Sequence, residues 1–346
     1  MVKSDTGASY LPRPPSTVAR MRAIIAIGDG TTVVTECPLP EPGPGEVRVR
    51  VQGAGLNRAD LLQRAGFYPA PPGSPPDIPG LEFAGIVDAA GSNVTSPTAG
   101  ARVFGVAGGG GQAEYIVVPA VHCAPVPDAL DLVNAGGVPE VFVTAHDAMR
   151  TRGRLQSGEH VLVHAVGSGV GTAVVQLAKA FGCTVTGTAR TESKLEAARA
   201  LGMDHGILAP RELEPLAFSQ EIVAQGGPPD VVIDLVGGAY VTAEVAAIAP
   251  GGRIVIVGTL AGGMPAMPLL GLMQKRAEMH GTVLRPRSIA EKASATAAFV
   301  DEVLPMIADG RVRPIVDRIF GLDAVDEAYE LVESDTTFGK VILDAR

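Results

Sequence analysis

A buried strand that runs into a glycine-rich turn and then a helix constrains the fold of this chain most. The strand is predicted at 161–163, the turn at 165–171 and the helix at 172–180, and a second strand follows at 184–187. Glycines in such a turn allow a tight bend and a close approach of the backbone to a pyrophosphate, while the helix start offers free N–H groups. The pattern therefore predicts a dinucleotide site rather than a purely structural β–α–β turn. The cradle residues are Gly167, Ser168, Gly169, Val170 and Gly171.

Length and composition indicate two domains and exclude several classes of protein. A chain of 346 residues is longer than one typical domain, and 46% hydrophobic with 19% charged residues is a globular composition. A net charge of −9 without long acidic runs argues against nucleic acid as the main partner. The three cysteines are far apart and odd in number, which favours neither a disulfide framework nor a thiolate metal cluster. A reducing cytoplasm is the expected location.

Two segments need separate interpretation. Residues 1–20 are rich in Pro, Ser and Thr and lack an apolar core, so a flexible arm is expected there. Residues 254–273 are largely apolar but are broken by Gly and Pro, which predicts a buried strand and an apolar loop rather than a membrane span. No membrane association is expected.

The pattern of elements predicts an α/β fold with an additional β module. Short strands separated by Gly and Pro turns indicate an all-β module over 21–140. Strands that alternate with helices over 141–284 predict a doubly wound parallel sheet, with strands at 161–164, 184–188, 231–235, 253–258 and 279–283. Residues 285–346 contain two helical patterns and a final strand at 340–343, which is expected to return to the first module.

The order of these parts resembles the medium-chain dehydrogenase/reductase superfamily. Four motifs are similar to those of its NADPH quinone reductases related to zeta-crystallin, at 55–68, 78–85, 109–115 and 164–171. The resemblance implies a GroES-like, barrel-type catalytic domain, a Rossmann cofactor domain, and a return of the chain to the first. It also implies a homodimer joined through the Rossmann sheets, at the edge that follows 253–257.

The resemblance also indicates a reaction that does not use zinc. Alcohol dehydrogenases of this superfamily bind zinc through a Cys and a His, whose places here are held by Asn57 and Leu81, and the cysteines of the structural zinc loop are missing too. No metal site is therefore predicted, although His160 and His164 lie four residues apart on a strand. Without a Lewis acid the acceptor must itself be electrophilic, as a quinone or a conjugated carbonyl is.

The cofactor is expected to be NADPH rather than NADH. No carboxylate stands at the end of the second Rossmann strand, where one would bind the ribose 2′-hydroxyl of NADH. Arg190 and Lys194 offer positive charge suited to a 2′-phosphate, and Lys194 matches a basic position of the resembling family. Both are open to interpretation as ordinary surface residues. A tyrosine that the family often places near this phosphate is replaced by Ala209.

Two residues are candidates for the catalytic site. By resemblance, Asn57 faces the nicotinamide and the substrate; the alternative is an Asn that binds turn backbone. Tyr68 would contact the quinone ring and supply a proton, and a packing tyrosine is the alternative.

Further residues are predicted to contact the cofactor. Thr144 is predicted to begin the helix that enters the Rossmann domain and matches a family position near the nicotinamide; the alternative is a helical Thr that bonds its own backbone. The loop after a parallel strand should also reach the ligand. These additional residues are Thr144, Gly258, Thr259, Leu260, Phe338 and Lys340. For Lys340 the alternatives to cofactor contact are a hydrogen bond to backbone and a position that only flanks the last strand.

Three hypotheses for function follow. The first is an NADPH quinone reductase. The second is an NADPH-dependent reductase of conjugated enones, in which a tyrosine-like acid matters more. The third is a cofactor-binding, crystallin-like protein without significant turnover.

Overall fold

The computed structural model describes residues 19–263 and 267–346. Its strands are β1 Arg20–Ala26, β2 Thr32–Pro38, β3 Glu46–Gly55, β4 Glu82–Ala90, β5 Arg102–Val106, β6 Tyr115–Pro119, β7 Cys123–Pro125, β8 His160–Val163, β9 Thr184–Ala189, β10 His205–Leu208, β11 Val231–Asp234, β12 Arg253–Ile256, β13 Glu278–Gly281, β14 Val316–Gly321 and β15 Lys340–Asp344. Its helices are α1 Arg58–Arg64, α2 Leu132–Ala135, α3 Pro139–His146, α4 Gly169–Ala180, α5 Glu192–Arg199, α6 Pro215–Gly226, α7 Ala239–Ala247, α8 Leu269–Lys275, α9 Ile289–Glu302, α10 Leu304–Ala308 and α11 Val325–Glu333.

A seven-stranded sheet forms the catalytic domain. Its order is β14-β15-β3-β4-β5-β7, and β6 also pairs with β3. Along β3 the side chains of Val47, Val49 and Val51 are buried on one face, as the period of two requires. The last strand, β15, pairs antiparallel with β3 and so joins the end of the chain to its beginning.

The second sheet is the predicted parallel Rossmann sheet. Its order is β10-β9-β8-β11-β12-β13, and every neighbouring pair is parallel. Residues of β8 serve two cores in alternation: Val161 and Val163 belong to one, and Leu162 to the other. This alternation shows that helices cover both faces of the sheet, which confirms the doubly wound α/β fold.

Several elements differ from the sequence-based expectation. β1 begins at Arg20, inside the predicted arm of residues 1–20, and residues 1–18 of that arm lie outside the described part. β2, β7, β10 and β14 were not predicted; β2 is partly exposed along its length, so its apolar alternation is weak. The segment after 284 holds three helices where two were expected. Within 254–273 the expected buried strand is present as β12, but α8 occupies part of the expected loop.

One further difference concerns α3, which leads from the catalytic domain into the Rossmann domain. It begins at Pro139, with proline at a favoured first position, and continues as a π-helix over Asp147–Arg152. Thr144 therefore lies in the second half of the helix and does not begin it. Among the described residues, no helix is long and apolar enough to cross a membrane.

Candidate active site in the interdomain cleft

A cavity of about 130 Å³ lies where the catalytic and Rossmann domains meet. Residues of both domains line it: Ala59, Tyr68, Leu81, Glu140, Thr144, Asp147, Val257, Thr282, Val283, Leu284, Arg285 and Arg287. Val257 directly follows β12, so the cavity adjoins the carboxyl end of a parallel strand, where ligands of such sheets bind.

The glycine-rich turn forms a close-packed cradle at the start of α4. The hydroxyl of Ser168 accepts from the amide of Gly171 at 3.0 Å and donates to the carbonyl of Ala165 at 2.8 Å. Ser168 is thus the N-cap of α4, and its side chain serves the helix rather than standing free for a cofactor. The amides of Gly169 and Val170, at the first two helical positions, have no carbonyl within the helix to bind.

The glycines of the cradle are needed for close approach rather than for the bend. None of the three has a positive φ; the left-handed conformation falls to Ala165, at φ 53°. A Cβ on Gly171 would lie 2.4 Å from the carbonyl oxygen of Ala165. On Gly167 a Cβ would meet Cδ of Lys194 at 2.8 Å, and on Gly169 it would meet Cδ of Lys340 at 2.5 Å. The expectation that the glycines make the tight bend is therefore wrong.

The segment Phe338–Lys340 lies against this cradle. The amide of Gly339 donates to the carbonyl of Gly167 at 2.8 Å, and Phe338 packs on the edge of the Rossmann core. Ser168 and Gly339 also form an isolated parallel bridge. The end of the chain thus holds the cradle against the catalytic domain.

Lys340 lies at the centre of a buried polar cluster. Its Nζ is 2.7 Å from Oε1 of Glu82 and 2.7 Å from Oδ1 of Asn57, and it also donates to the carbonyl of Leu56. Nδ2 of Asn57 donates to Oε1 of Glu82 at 3.0 Å. Of the alternatives for Lys340, the backbone bond is present. Its amine has three oxygen partners, so the geometry favours an orienting role over direct cofactor contact.

Asn57 occupies a fixed position at the head of α1. Its backbone amide donates to Oδ2 of Asp60 at 2.8 Å, and the other oxygen of Asp60 accepts from the amide of Gly80 at 3.1 Å. Burial raises the pKa of Asp60 to about 6, against the lowering effect of these bonds. Both ends of the Asn57 side-chain amide are engaged by Lys340 and Glu82, which fixes its orientation, but Asn57 is not among the residues that line the cavity.

Three cations converge at the far end of the cradle. Arg190 and Arg58 both pair with the carboxylate of Asp335, and Lys194 donates to the carbonyl of the same residue. Burial and the neighbouring arginines lower the pKa of Lys194. The sequence indicated Arg190 and Lys194, but Arg58 comes from the catalytic domain and was missed. Its only sequence signal was its place beside Asn57.

The helix α3 presents polar groups to the cavity. Thr144 and Glu140 are four residues apart and share one face of the helix. The hydroxyl of Thr144 is buried without a hydrogen-bond partner in the described structure. Such an orphaned group beside a cavity fits a ligand that supplies the missing bond.

Tyr68 and Arg285 form the opposite wall. The guanidinium of Arg285 lies 4.7 Å from the ring centre of Tyr68 and donates to the carbonyls of Tyr68 at 2.9 Å and Gly108 at 2.8 Å. Arg285 also pairs with Gln63. Burial raises the pKa of Tyr68. The sequence pointed to Tyr68 but gave no sign of Arg285, which holds its loop.

Glu140 is the main acidic group that sequence reasoning missed. Burial, followed by the nearby charge of Glu82, raises the pKa of the Glu140 carboxyl to about 8. The sequence indicated it only as an acidic residue in the first turn of a helix. Many helices have such a residue because a negative charge there interacts favourably with the helix dipole.

The remaining sequence candidates lie on the loop after β12. Gly258 donates to the carbonyl of Asp234 at 3.2 Å and packs against the backbone of Leu235. Thr259 and Leu260 are exposed. This loop follows Val257, and its contact with a ligand stays a prediction. Over 19–263 and 267–346, no three His, Cys, Asp or Glu side chains are grouped to hold a metal ion.

Comparisons with known proteins identify the family. An alcohol dehydrogenase GroES-like domain matches residues 43–128, and a zinc-binding dehydrogenase domain matches 169–301. The chain is 32% identical to a quinone oxidoreductase-like protein 2 homolog of Nematostella vectensis, over 84% of this chain and 80% of that protein. It is 31% identical to a quinone oxidoreductase of Sus scrofa, over 84% of this chain and 86% of that one.

Two further proteins are similar to this chain, one of them solved with a bound cofactor. A mycobacterial protein solved in complex with NADPH is 25% identical, with a TM-score of 0.81, and the match covers 93% of this chain and 99% of that one. A polyketide synthase of Streptomyces halstedii is 33% identical over 84% of this chain, which spans only 5% of that protein. The GroES-like and Rossmann domains, with relatives above 30% identity over most of their length, show that the chain belongs to the medium-chain dehydrogenase/reductase superfamily of oxidoreductases, among its quinone oxidoreductase-like members.

Proposed function

We propose that this protein reduces quinones with NADPH as the hydride donor and without zinc. The observation that supports it most is the continuity of one cleft. Lys194 contacts Gly167 at one end of the cradle, Gly169 contacts Lys340 and Val141, and α3 continues from Val141 to the cavity. The cation cluster, the glycine-rich cradle and the cavity therefore lie in the same order as the 2′-phosphate, the pyrophosphate and the nicotinamide of NADPH.

The residues present fit this cofactor. The free amides of Gly169 and Val170 would bind the pyrophosphate, and the orphaned hydroxyl of Thr144 would bind the nicotinamide end. Arg58, Arg190 and Lys194 suit a 2′-phosphate, which would replace the carboxylate of Asp335. When bound, NADPH supplies the hydride.

The acceptor is inferred from the groups around the cavity. Asn57 and Leu81 stand at the positions that the family resemblance aligns with zinc ligands, and neither an amide nor an alkyl group can replace a Cys or His there. Leu81 is buried and Tyr68 offers a ring face, so a flat aromatic acceptor fits this wall. A quinone is electrophilic without a Lewis acid and takes up the transferred charge by delocalisation.

A second candidate is NADPH-dependent reduction of a conjugated enone. It is favoured by two acids, Tyr68 and Glu140, that line one cavity. After hydride addition an enone needs a proton on carbon, where a placed acid has most effect.

The test compares acceptors and donors in one series. We expect NADPH oxidation by an ortho-quinone and a para-quinone, unaffected by prior treatment with EDTA, and a lower kcat/KM with NADH. Turnover of enones alone would select the second candidate. Tight NADPH binding with no turnover of any acceptor would leave a cofactor-binding protein. Activity lost with EDTA and restored by zinc would contradict both reductase proposals.

A further inference from the structure

We propose that Glu140 is the catalytic acid of this site and gives its carboxyl proton to the acceptor as the hydride arrives. The inference rests on the proposed function and names a residue for its second step. It is distinct from the family-based expectation that Tyr68 supplies the proton.

The position of Glu140 is the first reason. It lies in the first turn of α3 and lines the cavity together with Thr144 and Tyr68. Its backbone amide is anchored by Oε2 of Glu82 at 2.9 Å, which fixes the helix start next to the buried pair of Glu82 and Lys340. Glu140 is thereby held at the wall of a cavity bordered by both domains.

The surrounding charges are the second reason. The negative charges of Glu82 on β4 and Asp60 on α1 raise the pKa of Glu140. The positive charges of Lys340 on β15 and Lys292 on α9 lower it. Four further titratable groups line the cavity: Tyr68, Asp147, Arg285 and Arg287. Loss of hydration is the largest effect, and together with the two acids it outweighs the two lysines, so that burial raises the pKa of Glu140 to about 8. The carboxyl is therefore protonated at pH 7.

The neighbouring acids of the cavity are less suited. Asp147 is held by Arg287 and Arg152, whose ion pairs keep the pKa of this carboxyl below its usual range despite its burial. Burial moves the pKa of Tyr68 upward from an already alkaline value. Glu140 has the pKa nearest to neutrality, which is where a general acid works best.

The proposed reaction transfers a hydride and a proton to the acceptor. Bound NADPH would supply the hydride, so that NADPH would be oxidised and the quinone would become a hydroquinone monoanion. The O–H bond of Glu140 breaks, its proton goes to the anionic oxygen, and neutral hydroquinone leaves. The Glu140 carboxylate then takes a proton from water that enters the open cavity.

The decisive variant is Glu140→Gln, which keeps the shape and removes the acidic proton. We expect kcat with a quinone at pH 7 to fall about a hundredfold, while the affinity for NADPH, measured by fluorescence titration, stays within about twofold. In the wild type kcat should fall about tenfold for each pH unit above pH 8, the pKa of Glu140. This alkaline limb should be absent in Glu140→Gln and retained, at reduced kcat, in Glu140→Asp.

A matched control is Glu244→Gln. Burial raises the pKa of Glu244 to about 8 as well, but Glu244 packs against His164 and is not part of the cavity wall. We expect this variant to keep the kcat and the alkaline limb of the wild type. Tyr68→Phe should also keep the alkaline limb, because the acid that titrates there is Glu140.

Infrared titration gives a readout that does not depend on turnover. The carbonyl band of protonated carboxyls should lose intensity near pH 8 from both Glu140 and Glu244, and the Glu140 part of that loss should be missing from Glu140→Gln and retained in Glu244→Gln. If wild type reduces quinones and Glu140→Gln retains both kcat and the alkaline limb, the inference is overturned. If wild type reduces no acceptor, the proposed function fails; a Glu140 carboxyl already ionised at pH 7 would then overturn the inference by itself.

Discussion

At the scale of single residues, Asp335 is the internal partner of the three cations Arg58, Arg190 and Lys194. It adopts a left-handed conformation, at φ 57°, and brings one carboxylate between Arg58 and Arg190 while its carbonyl accepts from Lys194. A phosphate entering here would compete with an internal anion rather than with water alone. Selectivity for NADPH would then depend on cations from both domains.

This arrangement leads to a prediction for Lys194→Ala. A charge-assisted hydrogen bond contributes roughly 1.5–3 kcal/mol, so we expect KM for NADPH to rise about tenfold or more. KM for NADH, which lacks the 2′-phosphate, should hardly change. Steady-state kinetics with both donors provides the measurement.

The control is Lys179→Ala, which removes one positive charge from α4 of the same domain. Lys179 pairs with Asp204 at 2.8 Å and lies at the opposite end of that helix from the cradle. It should leave both KM values unchanged. A parallel rise of both KM values in Lys194→Ala would show that Lys194 serves the fold and not the phosphate.

At the scale of elements, the start of α4 depends on backbone contact. Gly171 packs against the backbone of Ala165 and Val166, which cannot move aside without shifting β8. Gly167 meets only the flexible stem of Lys194. A change from glycine to alanine should therefore destabilise the fold more at Gly171 than at Gly167.

We expect Gly171→Ala to lower the free energy of unfolding by about 1–3 kcal/mol, the usual cost of overpacking. Gly167→Ala should change it by less than about 1 kcal/mol. Urea denaturation followed by circular dichroism measures both. Equal effects at the two positions would mean that the cradle tolerates a methyl group at Gly171 and that its packing is looser than the distances indicate.

At the scale of the whole molecule, the open edge of the Rossmann sheet invites association. β13 is the last strand of that sheet, and α8, just before it, exposes Leu269, Leu270 and Met273. Within residues 19–263 and 267–346 no strand pairs with the outer side of β13, and an apolar surface beside such an edge is typical of an interface. We propose that two copies of the chain associate through this edge.

Sedimentation equilibrium should give twice the chain mass of 35.4 kDa. Leu270→Glu should shift the protein toward the monomer, because it places a charge within the apolar contact. Leu216→Glu is the matched control, since Leu216 on α6 is 61% exposed and Leu270 is 66% exposed. A wild-type monomer, or equal dissociation by both variants, would contradict this proposal.

Much of the fold was readable from local pattern. The strand at 161–163, the turn and the helix α4 are specified by residues close in sequence, and the parallel sheet follows from the regular alternation of strands and helices. β2 escaped prediction because it is partly exposed along its length, and α8 because its apolar residues face outward instead of forming a buried stripe.

The sequence by itself determined the dinucleotide unit, since hydrophobic periodicity and glycine spacing act over a few residues. The tertiary structure alone decided which distant groups meet: Lys340 with Asn57 and Glu82, Asp335 with Arg58 and Arg190. It also decided that Glu140 is partly withdrawn from water at the cavity wall, which raises the pKa of its carboxyl. Such contacts depend on how two domains pack, and burial, which sets the pKa of an acid, exists only once they have packed.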